Sequence, residues 1–147
     1  MIYLFKIAPF TLHCNEVRRT LGMSSADVMR EQFTERKAKV ETLLTKGKKS
    51  KAVAKCLKDP PLGAKDQSLK DENFQLVMRC LSAIKNDKIA GIVADLDEDD
   101  CDNLMKYVYK GLSTATASGA LLKWHEIVLA KAGQGCIVRA ITDRKNV

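Results

Sequence analysis

From Ser24 to Ile141 the apolar residues of this chain return every three or four positions, and nowhere do apolar and polar residues alternate for more than a few residues. A period near 3.6 buries one stripe of a helix, whereas a half-buried strand needs a period of 2. The pattern predicts an all-α fold. Aromatic residues make up only 5% of the 147 residues, which suits stacked amphipathic helices better than a sheet. A chain of this length holds one core and buries roughly two-thirds of its unfolded surface.

The punctuation divides this pattern into about seven helices. Ser24 and Asp27 have the spacing of a capping box and open the first, whose stripe is Met29, Phe33, Val40, Leu43 and Leu44 and whose stop is Gly47. A short second helix runs from Ser50 through Val53, Cys56 and Leu57 until Asp59, Pro60 and Pro61 end it. Ser68 and Asp71 repeat the capping spacing. They precede a wide stripe, Phe74, Val77, Leu81 and Ile84 beside Leu76, Cys80 and Ala83, that marks a central helix.

Asn86 or Asp87 is the expected cap of a fourth helix carrying Ile89, Ile92, Val93 and Leu96, and close helix packing is the expected reason for Gly91. The acids Asp97 to Asp100 sit where exposed amides at the start of a fifth helix favour negative charge. That helix carries Cys101, Leu104, Met105, Val108 and Leu112, and the small residues 113–119 after it read as a mobile loop. A sixth helix, with Leu121, Trp124 and Val128 on one line, ends near Gly133, and Ile137, Val138 and Ile141 imply a seventh. Residues 30–147 are thus expected to form a single compact bundle, preceded by a poorly defined, divergent N-terminal arm over 1–29.

Composition excludes several functions. The five cysteines, at 14, 56, 80, 101 and 136, are odd in number and never spaced as Cys-x-x-Cys, so a reducing compartment and thiols used as small packing groups are expected. Residues 1–12 are apolar but too short for a membrane span and interrupted by Lys6 and Pro9, and they lack the charge order and cleavage site of a signal peptide. The net charge of +7 admits an acidic partner. It is unevenly spread, with six lysines between Lys46 and Lys58 and six acids between Asp95 and Asp102. Opposed patches suggest docking between proteins.

Motifs that carry chemistry fail in detail. Asp95, Asp97 and Asp99 have the alternate spacing of a calcium loop, but Asp100 stands where its glycine belongs and Lys106 where its bidentate glutamate belongs. His125 and Glu126 begin like a zinc-protease helix, yet Leu129 occupies the second ligand position and His13 is the only other histidine. Gly133 and Gly135 lack the third glycine and the preceding strand of a dinucleotide turn. No cofactor, metal or catalytic residue is implied. Tyr107 and Tyr109 point about 200° apart on a helix, so one faces the core and the other seeks a partner or solvent. With Trp124 they are the expected aromatic contributors to an interface.

Three blocks in the last third then carry a resemblance: residues 103–111, Asn-Leu-Met-Lys-Tyr-Val-Tyr-Lys-Gly; 121–126, Leu-Leu-Lys-Trp-His-Glu; and 133–139, Gly-Gln-Gly-Cys-Ile-Val-Arg. Together with Leu57 to Pro61, the Lys70-Asp71 helix start and the ending from Thr142 to Val147, they resemble subunit 5, the smallest subunit of the actin-related protein 2/3 complex, over about residues 40–147. The resemblance implies an all-helical, non-catalytic scaffold in a seven-member assembly that nucleates branched actin filaments. Its implied neighbours are the helical subunit 4, the β-propeller subunit 1 and, through an acidic N-terminal arm, actin-related protein 2. It implies no nucleic-acid or membrane partner, and a cytoplasmic, cytoskeletal place that includes cell projections. Residues 1–29 do not match the family's arm, and Met23 is a second plausible start. Lys106, Tyr107, Tyr109, Lys110, Trp124, His125 and Arg139 match the family blocks and are the candidate residues for contacting partners or shaping the contact surface. The competing reading is a small basic nucleic-acid-binding helical module using Lys46 to Lys58, though without interleaved aromatics. A weaker one is a binder of free actin monomers.

Overall fold

A computed structural model describes residues 24–61, 64–114, 118–144 and 147. These form six helices: α1 Ser25–Thr45, α2 Lys49–Leu57, α3 Gln67–Ser82, α4 Asn86–Asp95, α5 Glu98–Ser113 and α6 Ser118–Thr142. No strand occurs among the described residues, so the fold is all-α as expected. The sixth and seventh expected helices are one element broken at Gly133, whose φ of 71° and ψ of −178° leave the helical region. A side chain rarely adopts that φ, which is why the break falls on a glycine. The expected mobile loop over 113–119 is corrected at both ends, where Ser113 closes α5 and Ser118 and Gly119 open α6, while residues 115–117, and residues 1–23 of the expected arm, lie outside the described residues. Residues 25–29, expected to belong to the arm, are the first residues of α1.

Local chemistry sets the helix starts. Ser24 and Asp27 form the expected capping box, the Ser24 hydroxyl accepting from Asp27 N at 3.3 Å while Asp27 accepts from Ser24 N at 3.3 Å. Asp97 accepts from Asp100 N at 2.8 Å, so the acidic run does open α5. Two expected caps are corrected. The cap of α3 is Asp66, which accepts from Ser68 N at 3.0 Å, and not Ser68. A carboxylate two residues earlier reaches the same orphan donors. The cap position of α4 is Lys85, without a side-chain bond, so Asn86 and Asp87 lie inside the first turn.

Helix α6 lies along α5 and also touches α4; α2 packs against α1 and α3. One continuous core results, with Leu57, Leu104, Met105, Tyr107, Leu121 and Trp124 almost wholly withdrawn from water. Gly91 does not serve close packing. It is exposed, and a Cβ there would meet nothing within 4 Å. Close approach occurs instead at Gly111 on α5, where a Cβ would lie 2.6 Å from Leu121 Cδ1 on α6.

Candidate interaction surface

Helices α5 and α6 carry all seven candidate residues, and their packing sorts these into three groups. Tyr107 and Trp124 are 1% and 0% exposed, so both shape the body from within. The Trp124 indole N–H meets no acceptor among the described residues. Tyr109, two positions from Tyr107, turns outward as the helical geometry requires and is half-buried. Its hydroxyl lies 3.1 Å from His125 Nε2, and the two rings meet edge to face at 5.6 Å.

The three cations are held by intramolecular partners. Lys106 pairs with Asp143 at 2.5 Å. Lys110 lies 3.3 Å from Asp71, donates to the Val147 carbonyl at 3.0 Å and sits 5.0 Å above the Phe74 ring. Arg139 grips Asp102 with Nε at 2.5 Å and Nη2 at 2.9 Å, and reaches Glu98 at 3.3 Å. That grip raises the Arg139 pKa, chiefly through its hydrogen bond to Asp102. For Asp102, partial burial works upward, but hydrogen bonds from Arg139 and Cys136 hold the carboxyl below its ordinary range. The Arg139 pairs fasten α5 to the part of α6 beyond the break at Gly133, while Lys106 ties α5 to Asp143 just past α6 and Lys110 ties it to Asp71 on α3.

Beneath this surface runs a polar chain that the sequence reading overlooked. Arg36, only 8% exposed, donates to Asn73 Oδ1 at 2.9 Å, and Asn73 donates to the Tyr107 hydroxyl at 2.5 Å. Arg36 also donates to the carbonyls of Lys58, at 2.8 Å, and Asp59, satisfying the end of α2. Burial lowers the Arg36 pKa and raises that of Tyr107. A signal was present: Arg36 stands on the α1 stripe between Phe33 and Val40, where helical spacing calls for a core residue.

Two clefts flank the pair. One of about 310 Å3 lies among Lys106, Tyr109, Lys110, Ser113, Ala140, Ile141 and Val147. The other, about 500 Å3, is acidic and lies where α5 begins, beside the Asp59-Pro60 turn. No grouping of three His, Cys, Asp or Glu fit to hold a metal ion occurs among the described residues. No helix among them is long and apolar enough to cross a membrane.

Residues 12–147 match the family described as ARP2/3 complex 16 kDa subunit (p16-Arc). The chain belongs to that family. It is 38% identical to actin-related protein 2/3 complex subunit 5 of Dictyostelium discoideum over 126 residues, covering 86% of this chain and 91% of the relative. Identity reaches 42% over 110 residues with subunit 5-C of Xenopus laevis, covering 74% of this chain and 73% of that protein. The human subunit 5-like protein is 38% identical over 112 residues, 75% of this chain and 73% of its own length. The p16-Arc match starts at residue 12, well ahead of the blocks that carry the resemblance, and so enters the segment 1–29 where those blocks find no counterpart. In this p16-Arc member the blocks 103–111 and 121–126 lie on α5 and α6, where they supply both the deepest core residues and the outward Tyr109–His125 contact.

Proposed function

We propose that this chain is a non-catalytic structural subunit of the actin-related protein 2/3 complex, acting in the nucleation of branched actin filaments through its contacts with other subunits. What carries the reading is the family match over residues 12–147. The surface supports it. The C-terminal half of α6 presents Val138 and Ile141, 58% and 67% exposed, three positions apart on one face, and Leu122 lies exposed earlier on the same helix. Exposed aliphatic side chains at helical spacing suit a helical neighbour such as subunit 4. The cations and aromatics of α5 and α6 hold these faces in register, which is the role the reading gives the seven candidate residues, with Tyr109 and His125 available for direct contact. Subunit 1 and actin-related protein 2 complete the partners under this proposal, the latter through residues ahead of α1, with the cytoplasmic actin cytoskeleton and cell projections as the site of action.

The test is recovery under gentle lysis. Tagged protein should return with the actin-related proteins and the propeller subunit in fixed ratio, and its return alone would refute the reading. The nucleic-acid alternative makes a separate demand, since a surface of several phosphate contacts binds DNA or RNA at low ionic strength and releases it steeply with salt. No such binding is expected.

A further inference from the structure

A groove of about 700 Å3 lies between α1 and α2. Ala38, Lys39, Thr42 and Leu43 line it from α1, and Lys51 and Lys55 from α2. The surface it shows to water is almost wholly carbon, because a lysine lays its methylene stem along apolar neighbours and keeps the ammonium in water. Lys51 and Lys55, four positions apart on one helix face, are exposed and make no hydrogen bond or ion pair among the described residues. Lys39 meets Glu35 at 3.9 Å, the outer limit of an ion pair.

The stretch that supplies this charge contains no acid of its own, since six lysines and no Asp or Glu fall between Lys46 and Lys58. Glu41, on the preceding helix, is drawn to Arg79 at 3.7 Å. Helix α2 also starts against electrostatics. Lys48 holds its cap position without a side-chain bond, and its first turn has no acid but carries Lys49 and Lys51, where the exposed amides already favour negative charge. An anion brought to this end relieves that repulsion, and a local rule broken beside an apolar groove points to a function there.

We propose that this groove receives an acidic amphipathic helix of a partner polypeptide, its aliphatic side chains on Ala38 and Leu43 and its carboxylates beside Lys39, Lys51 and Lys55. The α1 wall runs from Glu35 to Leu43, about 12 Å at the helical rise, or about two turns, and an apolar helix face laid in such a trough is a common docking mode. The chain's own residues 1–23 have the wrong charge, with Lys6, Arg18 and Arg19 against Glu16. A second copy lacks the apolar face, since its acidic run opens α5, whose Cys101, Leu104, Met105 and Val108 are buried in its own core. A nucleic acid stacks on aromatic rings, and none lines the groove. A membrane takes up protruding aliphatic side chains, and among the described residues these are Leu122, Val138 and Ile141, all on α6. The groove is distinct from the α6 face invoked for assembly and needs no part of that reading.

The experiment uses the full tagged chain in cells of its own organism, with a photo-crosslinking benzoylphenylalanine at Thr42 in the groove and, as control, at exposed Lys88 on α4. Mass spectrometry of the Thr42 adduct should identify a polypeptide segment with an excess of Asp and Glu and with aliphatic residues three or four positions apart. A Lys51→Glu, Lys55→Glu chain sets like charges against that segment and should lower the adduct yield at least about tenfold, while Lys51→Arg, Lys55→Arg should keep it. Both positions are exposed, so both variants should melt close to the parent. No adduct above the Lys88 control, an adduct of nucleic acid or lipid, a segment without excess acid, or equal yield from the charge-reversed chain overturns the groove as an acidic-helix site. Actin-related proteins recovered from the same cells report on the assembly reading separately.

Discussion

Asn73 on α3 donates its side-chain amide to the hydroxyl of Tyr107 on α5 at 2.5 Å, where neither residue has more than 1% of its surface in water. Because Asn73 also accepts from Arg36, three helices meet on one amide. Tyr107→Phe keeps the ring and strips the acceptor, leaving a buried donor unpaired, so a loss of about 1–3 kcal/mol is expected. Asn73→Leu should cost more, since it takes a hydrogen-bond partner from a buried guanidinium. Urea unfolding followed by circular dichroism measures both. A Tyr107→Phe protein as stable as the parent would show that the amide finds another partner.

Two glycines should respond to alanine with opposite signs. At exposed Gly91 nothing obstructs a Cβ, and the gain in helix propensity should raise stability by up to about 1 kcal/mol. At Gly111 the new methyl would press on Leu121, itself 1% exposed, and on Met78, and overpacking of about 1–3 kcal/mol should exceed the propensity gain. Thermal midpoints of the two variants should therefore move apart.

The Arg139–Asp102 pair sets a pH dependence. Asp102 titrates below its ordinary value of 3.8 in the folded chain, so its contribution is fully present above that value and is lost as pH falls through the depressed one. Asp100 shifts the other way, and its penalty grows as pH rises above 3.8. Compared with the parent, Asp102→Asn should be less stable at pH 6, by up to about 1 kcal/mol for so exposed a pair, and the gap should close toward pH 3. Melting curves at stepped pH would show a constant gap if the pair contributes nothing.

Buried thiols should be inert. Cys56, Cys80, Cys101 and Cys136 are all free and at most 1% exposed. Cys56 is pushed up by its hydrogen bond to Cys80 and by burial, and burial with Asp102 pushes Cys136 up to about 12. A Cys14→Ser chain should therefore yield almost no fast reaction with an aromatic disulfide reagent until denaturant is added. Rapid native labelling would mean that the core opens readily.

Most of the helical pattern was legible because it is local: apolar spacing places Phe33, Val53, Leu104 and Trp124 inward without reference to any other helix. The Ser24–Asp27 box and the acidic start of α5 were legible for the same reason. Asp66 was not, because a carboxylate just ahead of Ser68 competes for the same amides and only coordinates show which one reaches them. Close packing was expected at Gly91 and missed at Gly111 because close approach depends on the facing helix. The burial of Arg36 was visible as a register position and hidden by its charge. What made it tolerable, the carbonyls at the end of α2 and the amide of Asn73, lies more than twenty residues away. The residues matched to the family could be named but not sorted into inward and outward, and for Tyr107 and Tyr109 the helical angle required that they differ without saying which one is buried.

Several cationic side chains of this protein are held by its own carbonyls and carboxylates. Lys131 directs its ammonium to the carbonyls of Val93, Ala94 and Leu96 at the end of α4, and Lys49 does the same to Ala83 after α3. With Arg36, Lys106, Lys110 and Arg139 also occupied, the position of the positive charge on this protein is set by the lysines that remain, and the formal +7 does not say where it lies. An approaching molecule meets its basic charge on the exposed lysines of the α1–α2 turn and α2, such as Lys46, Lys48, Lys51 and Lys55, and less along α5 and α6, and a neutralising acetyl group on Lys131 would fray the end of α4 before it altered any encounter.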